Sequence, residues 1–175
     1  YIIRANGDEG WNFVSISIGI KEEYYDLLKW CCNEGYDLNS ICIDLALSWA
    51  DSVENMIKFI KEIYPNIYLI VGNGDNPEWI KWLEKLDVDC AKINIGVSRA
   101  CKTYQYTGFG STTITDLQKC YEAADRIKIM SDGGLTVEDN GDVCLSPRPI
   151  DRALLFHQAW LISGSLIRIV FPSGA

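Results

Sequence analysis

Short apolar segments alternate with amphipathic segments along most of this chain, and this alternation limits the possible folds more than any other feature. The apolar segments are rich in β-branched and aromatic residues, which predicts strands, and the others repeat apolar residues at helical spacing. The predicted strands are 13–20, 40–47, 67–71, 90–95, 127–130 and 159–162. The predicted helices are 21–35, 51–64, 77–86, 113–124 and 150–158. Strands that alternate with helices pair in parallel, so the pattern predicts an α/β protein.

Two parallel architectures share this alternation, the doubly wound sheet and the (β/α)8 barrel. No Gly-x-Gly-x-x-Gly follows the first predicted strand, which weakens the dinucleotide-binding form of the doubly wound sheet. The segment 136–149 is long and polar for a connection between a strand and a helix. We interpret it either as an insertion over a site or as a surface hairpin.

Composition narrows the classes of protein to which this chain belongs. Its 175 residues suit one domain, 1–175, and the formal charge of −8 argues against a nucleic-acid binder. No apolar run approaches the roughly 18 residues of a membrane helix, so we expect no membrane association. The seven cysteines lack paired C-x-x-C spacing and only one histidine accompanies them. This pattern disfavours zinc and a disulfide framework, and it favours reduced thiols in a cytoplasmic protein.

Small or polar residues lie at or just beyond the carboxyl ends of predicted strands, and in a barrel such residues converge at one end. They are Asp44, Gly72-Asn73, the loop from Gly96 to Cys101, Asp132-Gly133-Gly134 and Gly164-Ser165. Three of these residues also have a plainer interpretation. A free cysteine such as Cys101 is often a small buried apolar residue, Asp44 could cap a strand end, and Asn73 could be a turn residue.

The order of these motifs resembles that of the IMP dehydrogenase/GMP reductase family of purine-nucleotide oxidoreductases, over about residues 13–166. The cysteine loop of that family has the pattern Gly-x-Gly-x-Gly-Ser-x-Cys-x-Thr-Arg-x-x-Thr-Gly-x-Gly. This chain keeps Gly96, Cys101, Thr103, Thr107, Gly108 and Gly110 in that register. The Asp-Gly-Gly and Gly-Ser motifs of the family match Asp132-Gly133-Gly134 and Gly164-Ser165, and its earlier Asp and Gly-Asn match Asp44 and Gly72-Asn73.

The resemblance implies a parallel (β/α)8 TIM barrel, of which about six strand–helix units are visible, and a catalytic Cys101. Its thiolate would attack C2 of a purine nucleoside monophosphate, and hydride would pass between that carbon and the nicotinamide of NADPH or NAD. A thiolate suits this role because covalent capture divides one difficult step into two. Thr103 would handle the incoming water or the departing ammonia.

The same resemblance assigns binding residues on two sides of the site. The substrate-binding residues would be Asp132 at the ribose, with Gly133, Gly134, Gly164, Ser165 and Arg99 around the phosphate. The cofactor-binding residues would be Asp44, Gly72 and Asn73. Backbone carbonyls of Gly96, Ser98 and Cys101 would be the candidate ligands of a potassium ion.

The chain departs from the family pattern at several positions, and more than one reaction is compatible with the resemblance. Ser98-Arg99 replaces the Gly-Ser before the cysteine, and Tyr104 replaces an arginine. By the same resemblance, Lys92 favours a GMP reductase-like activity (GMP and NADPH to IMP, NADP and ammonia) over the IMP dehydrogenase reaction. An inactive nucleotide-binding relative is a further hypothesis. Family resemblance also implies a homo-tetramer.

The ends of the sequence do not cover a whole barrel of this type. The first predicted strand resembles the third of the family, and Ser165 follows the eighth. We therefore expect either that further parts of the barrel lie outside these residues or that this is a reduced relative.

Overall fold

The computed structural model describes residues 15–93, 113–132 and 153–156, which form strands and helices in alternation. The strands are β1 (Ser15–Ile18), β2 (Ser40–Asp44), β3 (Tyr68–Gly74), β4 (Cys90–Ile93), β5 (Lys128–Asp132) and β6 (Ala153–Phe156). The helices are α1 (Glu22–Asn33), α2 (Asp51–Ile63), α3 (Pro77–Lys85) and α4 (Thr113–Ala123). The predicted elements before residue 133 are confirmed to within a few residues at each end.

The strands form one parallel sheet in which spatial order equals chain order, from β1 to β6. A doubly wound sheet reverses its strand order at a switch point, whereas a barrel wall adds each strand beside the previous one. The described strands therefore follow the order of a (β/α) barrel. In the parts of the chain that the structure describes the sheet is open, with β1 and β6 at its two edges.

The predicted helix 150–158 is wrong over its middle, because Ala153–Phe156 is strand β6 and pairs in parallel with β5. Four consecutive apolar residues fit a buried strand as well as a helix, so periodicity alone cannot decide between them. The edge of β5 offers unpaired backbone groups, and pairing satisfies them. The predicted strand 159–162 and the segment 136–149 lie outside the described residues.

The two faces of the sheet carry different side chains because successive residues of a strand alternate. On one face, Ile41, Leu69 and Ile129 pack with helix residues such as Ile57 and Leu83 in the main apolar core. The other face carries a smaller cluster of Ile70, Cys90 and Met130, against which Cys42 and Tyr68 pack. This second face, which we call the inner face, corresponds to the interior of a barrel.

A buried carboxylate fastens α3 to the segment that leads into β5. Glu84 Oε1 accepts hydrogen bonds from the three consecutive backbone amides of residues 125–127, at 2.8, 2.8 and 3.1 Å. Burial by itself would raise the pKa of Glu84, but these three donors and the nearby Lys81 ammonium hold it below its ordinary value. The contact holds the start of β5 near α3, where β5 begins to pair with the start of β4.

None of the helices in the described ranges is long and apolar enough to cross a lipid bilayer.

Candidate functional site

Three residues lie side by side near the carboxyl ends of β2, β3 and β4. Asp44 is the register partner of Gly72, and Gly72 is the register partner of Lys92. Each is two positions beyond a residue of the inner-face cluster, so all three belong to the inner face. In parallel barrels this end of the strands carries the chemistry.

The outer two of these residues form an ion pair across the strand between them. Lys92 Nζ donates a hydrogen bond to Asp44 Oδ1 at 2.6 Å. The Lys92 side chain is 9% exposed and that of Asp44 is 42% exposed, so the ammonium is enclosed and the carboxylate reaches the surface. A lysine is seldom buried unless it is paired, and a charge-assisted hydrogen bond of this length is a strong one.

Gly72 provides the space through which the lysine reaches its partner. A Cβ atom placed on Gly72 would lie 2.6 Å from Lys92 Cβ and 2.7 Å from Lys92 Cε. Carbon atoms in van der Waals contact stand about 3.5–4.0 Å apart. The Lys92 side chain therefore passes over Gly72, in the space that any other residue would fill.

The loop after β2 is fastened to the end of β3 by hydrogen bonds. Leu45 donates its amide to the Gly72 carbonyl at 2.9 Å, and the Asn73 amide donates to the Leu45 carbonyl at 2.6 Å. Ser48 donates from its amide (3.0 Å) and its hydroxyl (3.2 Å) to the Asn73 carbonyl. Ser48 is buried, while its neighbours Leu47 and Trp49 are exposed. Asp44 and Asn73 are thereby held on adjacent strand ends.

Three of the described cysteines are unsuited to act as thiolates. Burial raises the pKa of Cys90 and of Cys120 to about 12 in each case, and burial also raises that of Cys31. A thiol with a raised pKa is a poor nucleophile at neutral pH. Cys101, the predicted nucleophile, lies outside the described residues.

Only some of the predicted site residues have a described position. The structure brings together Asp44, Gly72 and Asn73, and it places the backbone of Asp132 at the carboxyl end of β5. The remainder lie in parts of the chain that are not described: Gly96, Ser98, Arg99, Cys101, Thr103, Gly133, Gly134, Gly164 and Ser165. Within the described ranges, no group of three or more His, Cys, Asp or Glu residues is arranged to hold a metal ion.

Sequence reasoning used Lys92 only to choose between two reactions and did not name it, or Ser48, as a site residue. For Lys92 a signal was available, because one charged residue in an apolar strand that is buried on both faces requires a partner of opposite charge. Asp44, at the end of an earlier strand, was the natural candidate. No comparable signal existed for Ser48, whose partner is a backbone carbonyl.

The sequence model of the "IMP dehydrogenase / GMP reductase domain" matches residues 4–146, which is most of the chain. The chain belongs to the IMP dehydrogenase/GMP reductase family. Among its relatives is the GMP reductase of Lactobacillus johnsonii, 38% identical over 148 residues, covering 83% of this chain and 44% of that protein. The GMP reductase of Staphylococcus carnosus is 36% identical over 148 residues, again covering 83% of this chain and 44% of that protein. The chain thus spans less than half the length of these curated relatives.

A solved structure of the same family agrees with the fold. The crystal structure of inosine 5′-monophosphate dehydrogenase from Legionella pneumophila matches with a TM-score of 0.62 and 27% sequence identity. The match covers 71% of this chain and 37% of that one. The predicted fold class, a parallel α/β sheet of the TIM-barrel type seen in this family, is confirmed.

Proposed function

We propose that this chain is part of a purine-nucleotide oxidoreductase that reduces GMP to IMP with NADPH and releases ammonia. The observation that carries the proposal is the identity of 36–38% to relatives named GMP reductase. The Lys92–Asp44 pair at the carboxyl ends of the strands is consistent with a site at that end.

In the proposed reaction, the Cys101 thiolate adds to C2 of GMP, and the amino group leaves C2 as ammonia. NADPH, when bound, supplies the hydride that C2 accepts. The carbon–sulfur bond then breaks, which returns the thiolate and leaves IMP. Thr103 would assist the transfer of a proton to the departing ammonia, and covalent capture by sulfur lowers the barrier to displacing a poor leaving group.

The binding residues divide between the two ligands. Asp132 would accept hydrogen bonds from the ribose hydroxyls, and Arg99 would contact the phosphate together with the glycine and serine motifs at residues 133–134 and 164–165. On the other side, the Asp44 carboxylate and the Asn73 amide have the acceptor and donor groups that a nicotinamide carboxamide requires. The chemistry of these two side chains therefore supports a place for the nicotinamide end of the dinucleotide beside them.

Further properties of the proposed enzyme follow from the same resemblance. Carbonyls of Gly96, Ser98 and Cys101 would hold potassium, which rate measurements in KCl and in LiCl would test. A homo-tetramer in the cytoplasm is the expected state, and light scattering would measure the assembly.

Absorbance at 340 nm tests the reaction. We expect a fall with GMP and NADPH that is abolished in Cys101→Ala. The matched control is Cys32→Ala, which removes an exposed thiol in the last turn of α1 and should keep the rate. An undiminished rate in Cys101→Ala would contradict the covalent step.

The IMP dehydrogenase reaction is the second candidate, because the structural match is to an inosine 5′-monophosphate dehydrogenase. A rise in absorbance with IMP and NAD, and none of the expected fall with GMP and NADPH, would favour it. Binding of nucleotides without any turnover would favour the inactive relative.

A further inference from the structure

We propose that Lys92 is a positioning residue that acts on the dinucleotide only through Asp44, and that Gly72 serves to let its side chain cross β3. The identity of the ligand rests on the proposed function. The assignment of Lys92 and Gly72 rests on the described geometry, in which one side chain spans three strands.

The difference in exposure separates the roles of the two charged residues. Lys92 is enclosed, so its ammonium is not the group that an incoming ligand meets. The Asp44 carboxylate is partly exposed, and only its Oδ1 takes part in the 2.6 Å hydrogen bond to Lys92. With Oδ1 held, rotation of the carboxylate is restricted, and Oδ2 is oriented to accept a hydrogen bond from an N–H or O–H group of the ligand.

The pair also orders the Asp44 carboxylate, because its Oδ1 is already engaged by Lys92 Nζ at 2.6 Å. Preorganisation of this kind lowers the cost of binding because the polar group is ordered before the ligand arrives.

Gly72 makes the arrangement possible by having no side chain. Alanine at this position would place a methyl group 2.6 Å from Lys92 Cβ, and because Cβ is fixed to the backbone of β4 it cannot swing aside. The lysine would be displaced from Asp44. Gly72 therefore leaves room for the Lys92 side chain and needs no contact of its own with the dinucleotide.

A double-mutant cycle tests whether Lys92 acts through Asp44. Calorimetric titration of NADP into the complex with GMP, which is not a reacting pair, gives the dissociation constant of the dinucleotide. We expect Lys92→Met and Asp44→Asn each to weaken NADP binding by about tenfold, the scale of one charge-assisted hydrogen bond. In the Asp44→Asn background, Lys92→Met should change the constant by less than about twofold, because the coupling between the two residues is then already lost.

Two glycine variants provide an independent measurement should Asp44→Asn fail to fold. Gly72→Ala should weaken NADP binding about as much as Lys92→Met and leave the affinity for GMP unchanged, since both act on the same hydrogen bond. The matched control is Gly74→Ala on the same strand, whose methyl group would meet the buried Trp79 ring at 2.5 Å. Gly74→Ala should lower the melting temperature without a selective loss of affinity for NADP.

The outcomes separate this inference from the proposed function. Additive effects of Lys92→Met and Asp44→Asn, or an equal loss of GMP and NADP affinity in Lys92→Met, would overturn the positioning role and leave the function standing. If the wild-type protein binds GMP but no dinucleotide, the proposed function fails, and the role of Lys92 with it.

Discussion

At the scale of single residues, Glu84 illustrates how a buried charge becomes a stabilising contact. The carboxylate is almost fully enclosed, yet three backbone amides donate to one of its oxygens. Removal of the side chain would leave these donors without their acceptor, and for the buried Ile127 amide an unsatisfied group is costly.

We predict that Glu84→Gln lowers the free energy of unfolding at pH 7 by about 1–2 kcal/mol, since neutral hydrogen bonds replace charge-assisted ones. The pKa of Glu84 is lower in the folded than in the unfolded state. Its stabilisation is therefore fully present above the unfolded pKa of about 4.3 and is lost as the pH falls through the folded value. Urea unfolding between pH 7 and pH 3 should show a smaller loss for Glu84→Gln than for the wild type.

Glu62→Gln, at an exposed position of α2, is the control for this measurement. It should match the wild type at each pH. Equal pH dependence of the wild type and Glu84→Gln would show that the carboxylate contributes nothing through its ionisation.

The cysteines give a second prediction at this scale. Alkylation of the native protein at pH 7.5, followed by mass spectrometry, should label the exposed Cys32 and spare Cys31, Cys90 and Cys120. The protected thiols are buried and their pKa values are raised, so the reactive thiolate is scarce. Rapid labelling of Cys90 under native conditions would contradict the buried inner face.

At the scale of elements, α3 shows that a helix start can be predicted from two residues. Pro77 occupies the first turn, and the Asn76 side chain accepts a hydrogen bond from the Glu78 amide at 2.8 Å. Both residue types are favoured at these positions because the first amides of a helix lack partners within it.

Asn76→Ala should therefore destabilise the protein by about 1 kcal/mol, and Asn76→Asp, which keeps an acceptor oxygen, by much less. Urea midpoints of the two variants compare them directly. Equal midpoints for Asn76→Ala and Asn76→Asp would mean that the cap contributes no stability.

The helices and strands also show which parts of the fold can be predicted from the sequence and which cannot. Amphipathic periodicity located all four described helices, and Asp44 lies beside Gly72 because the strand ends of a parallel sheet share an edge. β6 was missed because a short apolar segment adopts the conformation that its neighbour in the sheet imposes. The role of Gly72 could not be predicted from the sequence, because it depends on the path of the Lys92 side chain from β4.

At the scale of the whole molecule, sequential strand order places each described strand beside the strand that precedes it in the chain. Among the described strands, β2 to β5 have a partner on both sides, and β1 and β6 have one each. Amides that are hydrogen-bonded in the centre of a sheet open less often than those at an edge.

Hydrogen exchange followed by mass spectrometry should thus find the slowest amides in β3 and β4 and faster exchange in β1. Exchange in β1 as slow as in β3 would indicate that a further strand covers this edge. The ends of helix α1 serve as an internal reference for fast local opening.

The Lys92–Asp44 pair has a consequence for how the site is assembled during folding. Its partners come from strands that are not neighbours, so the pair cannot form until β2, β3 and β4 are all in place. A slip of β4 by one residue would turn Lys92 toward the helices and bring an apolar neighbour to the inner face. Such a mispaired sheet would bury a charge without a partner and would be disfavoured for that reason. The charge pair that we assign to ligand binding therefore also selects the correct register of the sheet that carries it.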